Sequence, residues 1–95
     1  MTNQRSDTRQ QLRDMTNGIK LDSGCVDCGY AQHPAALDFS RKDGHYTPDF
    51  NVSRLITNRA SKKRILEEIA VCDVVCANCN RVRAAERRQE RKAPQ

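Results

Sequence analysis

Hydrophobic residues are sparse along this chain and fall in short groups. Leu12 and Met15 stand three apart in an otherwise polar stretch, the spacing of one helix face. Ser6 or Asp7 is placed to cap a helix over residues 9–16, and Asn17-Gly18 predicts its end. His33-Pro34 marks a turn. Leu37 and Phe39 alternate with Asp38, which predicts a strand over residues 35–39. Lys42-Asp43-Gly44 then reads as a hairpin loop, with residues 49–53 as the returning strand. Behind Ser61, a good N-cap, Ile65, Leu66, Ile69 and Ala70 recur at helical spacing and predict a buried stripe on a helix through residue 71. Lys63, Arg64, Glu67 and Glu68 on the same helix are expected to be solvated surface. Residues 73–75 read as an extended link and residues 80–91 as a basic helix.

Composition explains why these groups need help. Of 95 residues 37% are hydrophobic, with two Phe, two Tyr and no Trp. A chain this short buries only about 60–65% of its unfolded surface, so an unaided core is marginal. One small domain fits; a multidomain enzyme with a large pocket does not. No apolar run approaches the roughly 18 residues of a membrane helix, and the polar start has no signal-peptide pattern. The expectation is therefore a cytoplasmic chain with no membrane partner.

Charge adds a partner class. The net charge is +5, from 17 Lys and Arg against 12 Asp and Glu. The excess concentrates late, in Arg81, Arg83, Arg87, Arg88, Arg91 and Lys92. A basic end of this density fits a polyanion such as nucleic acid, although a solvated helix face has the same composition.

Cysteine spacing is the strongest signal. Four of the five cysteines form two identical pairs, Cys25-x-x-Cys28 and Cys76-x-x-Cys79. Two intervening residues let both thiolates turn toward one tetrahedral ion, and four thiolates close its coordination shell. A structural zinc site follows, with Gly29 supplying the left-handed backbone of the first knuckle. Zinc binding would also provide folding free energy that the thin core lacks. Cys72 reads as a small buried residue.

The series Cys25-x-x-Cys28-Gly29, Leu37-Asp38-Phe39, Phe50-Asn51-Val52-Ser53, Ile65-Leu66-Glu67-Glu68-Ile69-Ala70 and Cys72-Asp73-Val74-Val75-Cys76-Ala77-Asn78-Cys79 resembles small phage and bacterial HNH endonucleases. The resemblance spans roughly residues 25–88. It implies an α+β, zinc-stapled ββα-metal fold with flanking helices: an N-terminal helical extension over 1–24, the HNH-like domain over 25–92 and a disordered tail over 93–95. It also implies metal-dependent hydrolysis of nucleic-acid phosphodiesters, of double-stranded DNA first, with Mg²⁺ or Mn²⁺ as cofactor.

The family places Asp-His or His-His after Leu-Asp-Phe; here those positions are Ser40 and Arg41. Arginine stays protonated at neutral pH and is no ordinary base. Asn51 matches the central Asn, and Asn80 stands where the last metal ligand is commonly His; its amide oxygen suits a hard cation. His45 is the imidazole nearest to the vacated base position, with Asp38 or Asp43 as a stand-in carboxylate. Two functions follow from this pattern. One is an endonuclease using His45, Asn51 and Asn80. The other is a catalytically degenerate zinc module binding nucleic acid through Arg41, Lys42, Arg81, Arg83, Arg87 and Arg88, extended by Arg54 and Arg59. A zinc module docking on an unidentified protein is a third use of the same basic surface. Either a monomer or a homodimer is compatible, and cutting both strands would call for a dimer or two successive nicks.

Overall fold

A computed structural model describes residues 4–44 and 51–92. Six regular elements follow in order: helix α1 (Gln4–Ser23), strand β1 (Leu37–Arg41), helices α2 (Val52–Thr57) and α3 (Lys62–Ala70), strand β2 (Cys72–Cys76) and helix α4 (Ala77–Lys92). A single 3-10 turn, Pro34–Ala36, leads into β1, and His33 caps it by accepting the Ala35 amide on Nδ1 at 3.1 Å. Helices and a two-stranded antiparallel sheet make this a small α+β molecule.

The first helix does not stop at Asn17-Gly18. Leu12, Met15, Thr16, Ile19 and Lys20 all lie on its covered or half-covered side, so the packed stripe continues past the glycine. Tertiary packing along that stripe outweighs the roughly 1 kcal/mol that a mid-helix glycine costs. The helix ends instead at Gly24, whose φ of +65° and amide bond to the Lys20 carbonyl (2.8 Å) form a left-handed cap.

The partner of β1 also differs from the expected hairpin. It pairs with β2, in a register running from Leu37 opposite Cys76 to Arg41 opposite Cys72. Residues 49 and 50 lie outside the described region, and Asn51 is the N-cap of α2, its Oδ1 accepting the Arg54 amide at 3.0 Å. Val52, Leu55 and Ile56 are buried at helical spacing, which an alternation over residues 49–53 cannot explain. Thus the segment expected to be an extended link is a strand, and the helix that follows the sheet is α4.

On α3 the Ser61 cap forms as expected, with Oγ accepting the Arg64 amide at 3.1 Å. The buried face is rotated, however. Ile65 is fully covered and Glu68 is 4% exposed, whereas Leu66 and Ala70 face outward. Glu68 is therefore no surface carboxylate.

Two core clusters result. Leu12, Val52, Leu55, Ile56 and Ile65 form the first, among α1, α2 and α3. Leu37, Val74 and Val75 form the second together with Cys25 and Cys76, and Phe39 touches both. The second cluster is thus built around cysteines. Among the described residues no helix is long and apolar enough to cross a membrane.

Candidate metal centre and adjoining cleft

The sheet places the two cysteine pairs face to face. Cys25 opens a tight turn in which its carbonyl accepts the Gly29 amide and its amide donates to the Tyr30 carbonyl, both at 2.8 Å. Gly29 takes φ +83°, as the knuckle requires. A bond from the Val26 amide to the Val74 carbonyl (2.9 Å) ties this turn to β2. Cys76 ends β2, and Cys79 lies in the first turn of α4, its amide donating to the Cys76 sulfur at 3.4 Å.

All four sulfurs lie within 4.8 Å of one another. Cys28 and Cys76 are 3.7 Å apart. Ligands about 2.3 Å from a tetrahedral ion stand about 3.8 Å from each other, so the donor set fits a metal such as zinc. The start of α4 adds the positive end of a helix dipole, which favours thiolate.

The sulfurs are not equivalent. Burial pushes the Cys25 thiol up, but the amides of Cys76, Cys28 and Asp27 outweigh it and bring it down to about 6. Its bond to the Cys76 thiol, then burial, pushes Cys79 up to about 12. Cys72, at the far end of β2, is pushed up to about 11 by burial and by the charge of Glu68, to which its thiol donates at 3.8 Å. It remains a thiol.

Arg83 braces the centre from α4. Its Nε and Nη2 donate to Asp27 at 2.7 and 2.8 Å, and its Nη1 donates to Asp73 at 3.2 Å. The guanidinium stays protonated: the hydrogen bonds it donates to Asp27 drive its pKa further up, and they hold the Asp27 carboxyl below the usual range. Arg83 was expected to contact nucleic acid. The structure commits its donors to the first knuckle and β2.

Beside the sheet lies a cleft of about 830 Å³, lined by residues of α1, β1, α2, α3, β2 and α4. Lys20, Arg41, Arg54, Arg87 and Arg88 line it against Asp38 and Glu68, five cations to two carboxylates. Asn80 donates from Nδ2 to the Asp38 carboxylate at 3.4 Å. Lys20 sits over the Phe39 ring, 5.4 Å from its centre, and burial lowers its pKa while Asp38 partly offsets this. Gly44 lets Arg87 pass: any Cβ there would meet its Nε at 2.9 Å.

The expected site residues separate accordingly. Asn80, Arg41, Arg87 and Arg88 meet in the cleft, and Asn51 lines it while capping α2. Lys42 and Arg81 are exposed outside its lining. His45 lies outside the described residues. Comparison with family models, curated proteins and solved structures finds no match. The residues that sequence reasoning missed are Asp27, Asp73, Glu68 and Lys20. Only Glu68 carried a local signal, three residues after Ile65 on one helix face.

Proposed function

We propose that this chain is a zinc-stapled, HNH-endonuclease-like protein that acts on nucleic acid, double-stranded DNA first, at the cleft between β1 and α4. The observation that carries this reading is the cleft itself, which sets five cations against two carboxylates beside the four-cysteine cluster. Such an excess is the electrostatic signature of phosphate binding. The paired strands β1 and β2 followed by the basic helix α4, with α2 and α3 inserted between the strands and the cysteine pairs at the sheet's end, also suit a ββα-metal arrangement.

Arg41 favours binding over turnover. It occupies the position where the family carries its base, and its guanidinium keeps its proton. The opposite face of the site supports a second reading. Asp38 and Asn80 are adjacent, and although Asn80 turns its amide nitrogen to Asp38, a reversal of that amide would offer a hard divalent cation, Mg²⁺ or Mn²⁺, two oxygen ligands from the described residues. Such an ion, when bound, would polarise a scissile phosphate. Asp38 and Asn80 would hold it, and Arg41 and Arg87 would orient the phosphodiester.

A supercoiled-plasmid assay with Mg²⁺ and then Mn²⁺, beside a salt titration of duplex binding, tests both readings. The expected result is salt-sensitive binding without cleavage by the native chain, and nicking by an Arg41→His variant. Cleavage by the native chain that Asp38→Asn abolishes would replace the binding reading with the hydrolytic one. Absence of duplex binding at low salt would remove nucleic acid as the partner.

A further inference from the structure

The guanidinium of Arg41 is held on two edges by carboxylates of opposite character. Its Nε and Nη2 donate to the two oxygens of Asp43 at 3.3 and 3.1 Å. Its Nη1 lies 3.6 Å from the Glu68 carboxylate. Glu68 is 4% exposed, stands on α3 and is shared with Arg64 at 3.8 Å. Asp43 is 47% exposed and stands on the turn closed by the Gly44 amide and the Arg41 carbonyl, 3.0 Å apart.

These two contacts have different strengths. A buried carboxylate is costly unless its charge is compensated, and Glu68, compensated by Arg41 together with Arg64, helps keep Arg41 in place. An exposed pair contributes little, because water and salt satisfy its members almost as well. The edge taken by Asp43 is also the fork that a phosphate's two non-bridging oxygens engage. Aspartate and a phosphodiester each present two oxygens sharing one negative charge, so a phosphate can take the place of Asp43 at the fork. Arg87 and Arg88 line the same cleft and add positive charge where a phosphate would enter.

The geometry points to Arg41 as a phosphodiester-binding fork that Glu68 seats and that Asp43 occupies until nucleic acid displaces it. This rests on the nucleic-acid reading above and adds the contact and its internal competitor. Asp43 is then a stand-in for substrate, and Glu68 a positioning residue.

The test measures anisotropy of a short labelled DNA duplex with the zinc-loaded full chain, over a salt series without added Mg²⁺ or Mn²⁺. Asp43→Asn is expected to tighten binding about three- to tenfold, since the competitor at the fork is weakened. Glu67→Gln makes the same charge change on the exposed side of α3 and is expected to alter affinity less than about twofold. Arg41→Lys keeps the charge but cannot fork, so the gain from Asp43→Asn should vanish in that background. Equal tightening by Asp43→Asn and Glu67→Gln would reduce the effect to net charge and overturn the proposal, as would a gain that survives Arg41→Lys. Duplex binding by the native chain with no response to Asp43→Asn would overturn the competitor while leaving the nucleic-acid reading intact. Failure of both chains to bind at all would overturn that reading itself.

Discussion

Cys25 and Cys79 share one small cluster yet sit at opposite ends of the thiol range, about 6 and about 12. Without metal at neutral pH, then, Cys25 is a thiolate while Cys79 keeps its proton, and Cys28 is also raised: its bonds to the Cys25 and Cys76 thiols outweigh the lowering effect of the Tyr30 backbone. A metal must displace the protons that remain. Affinity should therefore rise with pH around neutrality, about tenfold per unit for each proton that leaves. Below about 6 the Cys25 proton joins them and the dependence steepens. Chelator competition at several pH values measures this, and a flat profile would mean that the cluster is already ionised. Residue identity made these four ligands readable, because spacing within each pair is local. The burial of Glu68 is not legible in this way. Its spacing allows either face of α3, and contacts from other elements, Arg41 on β1 and Cys72 on β2, select the buried one.

Between elements, Arg83 has the clearest structural role. It joins the first knuckle to β2 from a position on α4, using three hydrogen bonds. Arg83→Met is expected to weaken metal binding about 10- to 100-fold, as loss of groups that orient ligands commonly does. The salt slope of duplex binding should stay unchanged in that variant. A slope smaller by about one, with metal affinity intact, would instead make Arg83 a phosphate contact. Capping signals at this scale were partly legible. Ser61 caps α3 as its chemistry predicts, and Asn51 caps α2 although its hydrophobic neighbours suggested a strand. Phe50 and Val52 alternate with Asn51 and Ser53 at a strand's period, whereas Val52, Leu55 and Ile56 follow a helix's, so two short overlapping patterns competed for the same segment.

Across the whole molecule, the sheet, the second core cluster and the cysteine site form one mechanical unit. Leu37, Val74 and Val75 are buried with Cys25 and Cys76, so the metal would close a cluster with few other large side chains. Chelation is expected to remove amide-exchange protection across β1 and β2 and to abolish a cooperative thermal transition. Full protection after metal removal would show that the two clusters suffice without it. The cleft belongs to this scale too, since its lining comes from helices and strands far apart in the chain.

Local order in the chain was enough for the paired cysteines, the left-handed Gly29, the Ser61 cap and the basic last helix, since each depends on neighbours within a few residues. The full length of α1, the pairing of β1 with β2, the burial of Glu68 and the capture of Arg83 by Asp27 and Asp73 were decided in three dimensions. Each depends on which distant surface covers a segment. Burial and ion pairing are properties of such contacts, and periodicity along one segment carries no record of its partner.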